Sequence, residues 1–142
     1  MKTYKSKFGF KIILFLTVLF GGVTMFMYYQ NEPTEAIVSF GGISLIVYAL
    51  SLYLNVSTNY TITEEGVLKV KCGFLYNKNF DISAIKSVAK TNSMMSSPAP
   101  SMDRIELTFG KFDVLIISPN DQNAFVKELK KVNPQIENKL IN

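Results

Sequence analysis

The sequence predicts an α+β membrane protein, in which a hairpin of two transmembrane helices precedes a mainly β roll of two antiparallel sheets with one C-terminal helix. Three observations lead to this prediction. Two long apolar runs without charged residues lie near the N-terminus, shorter stretches then alternate between apolar and polar residues, and one helical apolar pattern follows near the C-terminus. The spacing of apolar residues thus divides the 142-residue chain into three kinds of segment.

The two apolar runs cover residues 12–29 and 36–54, which are 18 and 19 residues without a charged side chain. Runs of this length match the ~20 residues that cross a hydrocarbon core of ~30 Å. A cleaved signal peptide is the alternative for the first run. However, a second run follows after QNEPTE, and the bulky stretch MFMYY offers no small-residue cleavage site. We therefore predict a retained transmembrane hairpin over residues 12–54.

Lysines determine the predicted orientation. Four of them precede the first run, whereas the loop between the runs carries Glu32 and Glu35 and no base. Because Lys and Arg favour the cytoplasmic side, we expect a multi-pass protein of the cell (inner) membrane with its N-terminus and everything after residue 54 in the cytoplasm. Residues 1–11 are then predicted to be a basic cytoplasmic tail lying against anionic headgroups. A lone cysteine, Cys72, agrees with a reducing compartment.

Glycines in the two spans predict how the helices pack. Gly21 and Gly22 lie at nearly the same depth from the connecting loop as Gly41 and Gly42. One face of the first helix carries a stripe of Thr17, Gly21, Thr24 and Tyr28, and one face of the second carries Gly41, Ser44, Tyr48 and Ser51. Since small residues let helix backbones approach closely, we expect these two stripes to face each other. The alternative is that glycine is simply common in membrane helices. Neither span holds an ionisable residue, which argues against a transporter or channel.

Residues 58–134 carry the alternating pattern of half-buried strands, and we expect six or seven of them. Because the 85 residues from 58 onward cannot form a large core, closing a sheet on itself and covering one end with a helix buries these faces economically. The inward-facing positions are expected to be Tyr60, Ile62, Leu68, Val70, Cys72, Ile105, Leu107, Phe109, Val114 and Ile116. Cys72 is most simply an inert core residue.

The C-terminal helix is expected to begin at Ser118 and Pro119, with Ser118 as the N-cap and Pro119 at the first helical position. Its apolar stripe would be Phe125, Leu129 and Val132, which follow at helical spacing. Residues 135–142 are expected to be a loose tail.

The uncharged stretch 91–102 leads into a strand that opens with Asp103 and Arg104. Pro98 and Pro100 stiffen it, because proline fixes φ and extends the residue before it. Arg104 is the only arginine in the chain, and its planar guanidinium can bind a carboxylate or loop carbonyls as lysine cannot. We hypothesise that Arg104 clamps this loop or pairs with an acid, while Asp103 accepts loop N–H groups. The alternative is a solvated surface pair worth ~0–1 kcal/mol.

The same stretch is a candidate interaction surface or structural loop. Its methionines form a flexible apolar patch of the kind used in adaptable binding. Alternatively, the loop lies on the membrane surface, or the methionines fill the open end of the roll. The residues concerned are Met94, Met95, Ser97, Pro98, Ala99, Ser101, Met102, Asp103 and Arg104.

Three stretches, TNYTITEEGVLKVKCGF, SSPAPSMDRIEL and ISPNDQNAFVKELKKVNP, resemble the YyaB-like bacterial PH domain family over about residues 57–134. The most specific pieces are Ser97-Pro98-Ala99, Ser101-x-Asp103-Arg104 and Ile117-Ser118-Pro119. Members of this kind often carry a short hydrophobic hairpin before the domain. The resemblance implies a PH-like fold of two roughly orthogonal antiparallel sheets and a C-terminal helix, and it implies no activity. Pro100 stands where an aliphatic residue is expected.

No pattern in the sequence points to catalysis, a cofactor or a metal. Histidine is absent, and there is neither a glycine-rich phosphate loop nor a cluster of acids at metal-ligand spacing. Residues 58–142 hold 11 bases and 9 acids, which is not the charge balance of a nucleic-acid-binding domain. The turn Glu64-Glu65-Gly66 would repel a phosphate at the first hairpin of the domain. No small-molecule substrate is indicated.

These observations favour a non-catalytic PH-like interaction module tethered to the cytoplasmic face of a bacterial membrane. Its expected partners are the lipid bilayer and another membrane protein or a second copy of the chain. One alternative is a structural subunit of a larger membrane assembly. A second is a self-protection or stress protein that acts on another membrane protein. Binding of anionic lipid is a less favoured alternative.

Overall fold

The N-terminal half of the chain forms a helical hairpin, as predicted. In the computed structural model, which describes residues 1–95 and 98–140, helix α1 spans Phe10–Tyr29 and helix α2 spans Thr34–Ser57. Both helices are long and apolar enough to cross a membrane. They begin two residues before the predicted spans, and α2 ends three residues later.

The two polar and small-residue stripes border one groove, where the Thr17 hydroxyl donates to the Tyr48 hydroxyl at 3.2 Å, but the expected close approach of the backbones at glycine is wrong. A Cβ atom added at Gly21, Gly22, Gly41 or Gly42 would meet no described atom within 4 Å. Gly21 and Gly41 border a groove of about 590 Å³ between the helices, while Gly22 lies on another face. The rings of Phe20 and Phe40 meet edge to face across the helices at 6.3 Å, and side chains of this size keep the backbones apart.

The first sheet has four antiparallel strands in the order β1-β2-β3-β4. Strand β1 is Lys2–Lys5, β2 is Thr58–Ile62, β3 is Val67–Cys72 and β4 is Tyr76–Asp81. The prediction that residues 1–11 form a tail is therefore wrong. Strand β1 pairs with β2, so that Lys2 lies opposite Ile62 and Lys5 opposite Asn59. The physical reason is that the edge of β2 offers unpaired backbone groups at the place to which the hairpin returns the chain.

The second sheet has the order β7-β6-β5-β8. Strand β5 is Ser87–Thr91, β6 is Arg104–Thr108, β7 is Val114–Ile117 and β8 is Glu137–Lys139. Strand β8 pairs in parallel with β5 and occupies part of the segment that we expected to be loose. The described residues thus form eight strands in the two sheets, more than the six or seven expected, because each sheet gains one outer strand, β1 or β8, that the sequence did not predict.

Helix α3 spans Gln122–Val132, and the predicted cap at Ser118 and Pro119 is wrong. The N-cap is Asp121, whose carboxylate accepts a hydrogen bond from the Ala124 N–H at 2.9 Å. Backbone hydrogen bonds hold the preceding residues to the N-terminal segment, since Asn120 donates to the Lys5 carbonyl and the Ser118 carbonyl accepts from Lys7. Those bonds keep Ser118 and Pro119 out of the helix.

The core lies between the two sheets and α3, with most predicted inward positions buried. The predicted alternation of β7 is wrong, because Leu115 and Ile117 join the core cluster while Val114 is exposed and Ile116 lies opposite Glu106 on the other face. Cys72 and Phe109 are half-buried, and Val132 is exposed in the last turn of α3, where Val126 takes its place in the buried stripe. The largest fully buried side chains include Tyr60, Phe125, Leu68, Ile82, Ile105, Leu107, Ile117 and Leu129.

Tyr4 tests whether β1 belongs to the domain. Its half-buried ring packs edge to face on Phe125 at 5.3 Å. We expect Tyr4→Ala to lower the free energy of unfolding by about 2 kcal/mol, because part of a buried aromatic contact is lost. The measurement is urea-dependent pulse proteolysis of the full chain in detergent. The control, Phe112→Ala, removes a ring that is 90% exposed and should change the free energy by less than about 0.5 kcal/mol. Equal decreases in the free energy of unfolding for the two variants would contradict the assignment of β1 to the folded domain.

Candidate functional site

The helical hairpin and the β-roll meet at one face, which we call the hairpin-proximal face. It consists of residues 6–11, the end of α2 with Thr58, and residues 92–95 and 98–103 of the loop. The Gly9 N–H donates to Asn55 Oδ1 at 2.6 Å, and Asn55 is buried near the end of α2. A Cβ at Gly9 would collide with the Pro100 carbonyl and with Asn55. Glycine is therefore required where the start of α1, the end of α2 and the loop touch.

The predicted cap residue Ser118 instead binds the N-terminal segment. Its carbonyl accepts from the Lys7 N–H at 2.7 Å, and its hydroxyl lies 2.9 Å from the Ser6 hydroxyl. Pro119 forms an isolated antiparallel bridge with Ser6. Ser118 is fully buried, so these bonds are shielded from water. The motif Ser118-Pro119 thus anchors the chain just before it enters α1.

Arg104 binds the loop with four hydrogen bonds to carbonyl oxygens, the geometry that the clamp hypothesis requires. Nε donates to Ser101 at 2.8 Å and Nη2 to Ala99 at 2.9 Å. Nη1 donates to Ser93 at 3.0 Å and to Met95 at 3.4 Å. The residue is only 9% exposed, and no carboxylate among the described residues lies within ion-pair distance of it. The guanidinium therefore acts on the backbone of the loop and not as half of an ion pair.

Tyr60 supports the other side of the loop. Its hydroxyl donates to the Pro98 carbonyl at 2.6 Å and accepts from the Ser118 N–H at 3.1 Å. Burial raises the pKa of Tyr60 above its usual value, so the phenol stays protonated and keeps its donor. Pro98, Ala99 and Ser101 are buried as a result, and this part of the loop belongs to the core.

No N–H group in the described part of the loop donates to the Asp103 carboxylate, which corrects that part of the hypothesis. Its carboxylate accepts from Lys7 at 2.7 Å and from Gln122 Nε2 at 3.1 Å, and Lys90 lies 3.5 Å away. The hydrogen bond from Lys7 lowers the pKa of Asp103, with partial burial opposing it and Gln122 adding to the decrease. Asp103 joins three segments of the chain: the residues before α1, strand β5 and helix α3. Its own N–H donates to the Ser101 hydroxyl at 3.2 Å.

The outer part of the loop is apolar and exposed. Met94 and Met95 are 76% and 60% exposed, Met102 is half-buried, and Ser97 lies outside the described residues. Met95 and Pro98 border a cavity of about 420 Å³, which we call the apolar cleft. Its other lining residues come from the end of α2 and from both sheets: Leu54, Cys72, Leu75, Tyr76, Val114, Leu115 and Ile116. The Cys72 thiol is half-buried here and accepts from Thr58 Oγ1 at 3.1 Å.

A second cavity on the same face is basic. This basic cavity has a volume of about 520 Å³ and contains three lysines, Lys7, Lys11 and Lys90, with Asp103 as its single acid. Its remaining lining residues are Phe8, Gly9, Phe10, Ser101 and Met102. The described residues contain no group of three potential metal ligands. The hairpin-proximal face therefore offers one apolar and one basic concavity on either side of a loop whose backbone is fixed.

The fold defines a class: two small, mostly antiparallel sheets closed by one C-terminal helix, with a helical hairpin joined directly to the first sheet. The family model for the bacterial PH domain matches residues 58–133, which is more than half of the chain. The chain therefore belongs to the bacterial PH domain family, as its resemblance implied. No curated protein and no solved structure matches the chain.

Sequence reasoning did not assign to this face several residues that form or border it, namely Ser6, Lys7, Gly9, Asn55, Tyr60 and Lys90. A signal existed for Asn55, a polar residue placed directly after an apolar run. Tyr60 was predicted to be buried, and a buried tyrosine needs a partner for its hydroxyl. No sequence signal was available for Lys7 and Lys90, because only the folded chain brings them to the same carboxylate.

Arg104 provides the test of the loop clamp. We expect Arg104→Lys to lower the free energy of unfolding by about 2 kcal/mol, because an ammonium on a flexible stem cannot reach four carbonyls at once. The measurement is thermal unfolding of the full chain in detergent. The matched control is Lys69→Arg, on the exposed side of β3. An Arg104→Lys melting temperature equal to that of the wild type would show that the guanidinium contributes no more than a solvated surface charge.

Proposed function

We propose that this chain is a non-catalytic interaction module tethered to the cell membrane by its hairpin, with the bacterial PH domain on the cytoplasmic face. The observation that carries the proposal is the pairing of β1 with β2. These strands flank the hairpin in sequence, so the N-terminus and the domain lie on the same side of any membrane that the hairpin crosses. The four lysines among residues 1–11 favour the cytoplasmic side.

The connection between hairpin and domain supports a fixed position at the membrane surface. Helix α2 ends at Ser57 and β2 begins at Thr58, so no linker separates them. The bond from Gly9 to Asn55 joins the two helix ends at the same place. A domain held this close meets lipid headgroups and other membrane proteins at a high effective concentration.

The exposed methionines and the apolar cleft are the proposed contact surface for another membrane protein. Met94 and Met95 present flexible, polarisable side chains, which suit an adaptable interface. Arg104 and Tyr60 hold the backbone beneath them, so that little loop entropy is lost on binding. Bacterial PH domains are a family of interaction modules, and this surface needs no catalytic group.

The orientation is tested by labelling with a membrane-impermeant maleimide. In a Cys72→Ser background, Gln30→Cys places a thiol in the loop between the helices and Lys86→Cys places one on the domain. We expect Gln30→Cys to react in intact cells and Lys86→Cys only after the membrane is opened, because the hairpin exposes its loop outside. The opposite pattern, or equal labelling of both, would contradict the proposal.

The contact surface is tested by photo-crosslinking of the full chain in native membranes. A photoreactive residue at Met94 should give one saturable protein adduct, and the same residue at Phe112, which is even more exposed, should not. Arg104→Lys should weaken the adduct, since the loop loses its fixed shape. An adduct formed only from probes in α1 or α2 would favour a structural subunit of a membrane assembly. Lipid adducts alone from Met94 would refute a protein-binding loop.

A further inference from the structure

We propose that the basic cavity binds a phosphate group, and that an anionic phospholipid of the surrounding leaflet supplies it as a headgroup. The proposal rests on the membrane position proposed above. The cavity lies outside the first hairpin of the PH domain, where Glu64 and Glu65 occupy the turn. Two of its three lysines, Lys7 and Lys11, precede residues 58–133, the part of the chain that the family shares.

The charges of the cavity favour an anion. The three lysines and Asp103 give a net charge of two positive units. The Lys7 ammonium lies 2.7 Å from one oxygen of Asp103 and the Lys90 ammonium 3.5 Å from the other. Asp103 thereby holds Lys7 and Lys90 close together although they are 83 positions apart in the sequence. Lys11 has no acidic partner among the described residues, so its full charge is available to a ligand.

The start of α1 adds to this positive potential. Gly9 is the N-cap and provides no side-chain hydrogen bond, and Gly9, Phe10 and Lys11 all border the cavity. The N-terminal end of a helix carries a partial positive charge, which favours a phosphate nearby even though the Gly9 and Phe10 N–H groups already donate to Asn55 and Phe8. The helix end alone would not define a site, but here it lies beside three ammonium groups.

The position of the cavity selects the headgroup of a lipid. With the hairpin in the membrane as proposed, the first turn of α1 lies at the boundary between cytoplasm and bilayer. The Phe8 and Phe10 rings are exposed beside the lysines. A ligand with a phosphate and an acyl chain would contact the ammonium groups and these rings together. Basic pockets beside transmembrane helices on the cytoplasmic side are a recognised arrangement for lipid headgroups.

Native mass spectrometry of the full-length chain in an uncharged detergent tests the site. The probes are phosphatidylglycerol, phosphatidylcholine with the same acyl chains, and inorganic phosphate. We expect one phosphatidylglycerol to bind per chain with saturation, and phosphatidylcholine to bind more weakly. The double variant Lys11→Gln/Lys90→Gln should weaken phosphatidylglycerol binding on the order of twentyfold, because each lysine near a membrane surface contributes roughly a factor of five.

The matched control is Lys127→Gln/Lys130→Gln, which removes the same charge from exposed positions on α3. We expect it to change the affinity by less than about twofold, since screening weakens distant charges. An equal loss in both double variants, or equal binding of the two lipids, would overturn the proposal. Lys7 stays unchanged in both variants, because its bond to Asp103 also supports the fold.

Inorganic phosphate identifies the source of the ligand. Weak binding of inorganic phosphate, with no displacement of phosphatidylglycerol, supports a lipid headgroup. Phosphate that binds the wild-type chain as tightly as the lipid and displaces it would overturn the headgroup assignment in favour of a soluble anion. The maleimide experiment tests the membrane orientation independently of this site. A chain that labels in the proposed orientation but binds both lipids equally would refute the phosphate site and leave the proposed function standing.

Discussion

The pairing of β1 with β2 is the constraint on which the rest of the structure depends. It joins Lys2–Lys5 to Thr58–Ile62 and therefore brings the two ends of the helical hairpin into one sheet. The hairpin is in effect a long connection between two adjacent antiparallel strands. The same closure leads residues 6–11 past the end of α2 and the second sheet, where they bind Asn55, Ser118 and Asp103.

Buried polar groups give that face its shape. A buried guanidinium is costly unless its donors are satisfied, and Arg104 is satisfied by loop carbonyls that would otherwise need partners of their own. The buried Tyr60 hydroxyl likewise donates a hydrogen bond to the Pro98 carbonyl. Removing either side chain would leave both the loop and the core with unpaired groups. The same loop can therefore be rigid at its base and expose flexible methionines at its tip.

The sequence predicted the parts of the fold that depend on local periodicity. The two apolar runs, the alternating strands and the amphipathic helix were found because each repeats its pattern over several turns or residues. It could not predict β1 or β8, since each is a short polar strand, KTYK and ENK, that forms only against a distant edge. The helix cap was misplaced because long-range bonds occupy Ser118. Arg104 was identified from its rarity and chemistry, whereas Lys7 and Lys90 meet only through tertiary structure.

The order of the strands also affects how the protein is made. Strand β1 is synthesised before both helices, whereas its partner β2 follows some fifty residues later, after both helices. With the hairpin inserted as proposed, the first sheet cannot be completed until the second helix has crossed back. A chain in which only one helix inserts would leave β1 and β2 on opposite sides of the bilayer, with the edge of β2 and the face of Tyr60 open to proteases and chaperones. Pairing of β1 with β2 therefore requires that both helices of the hairpin are inserted.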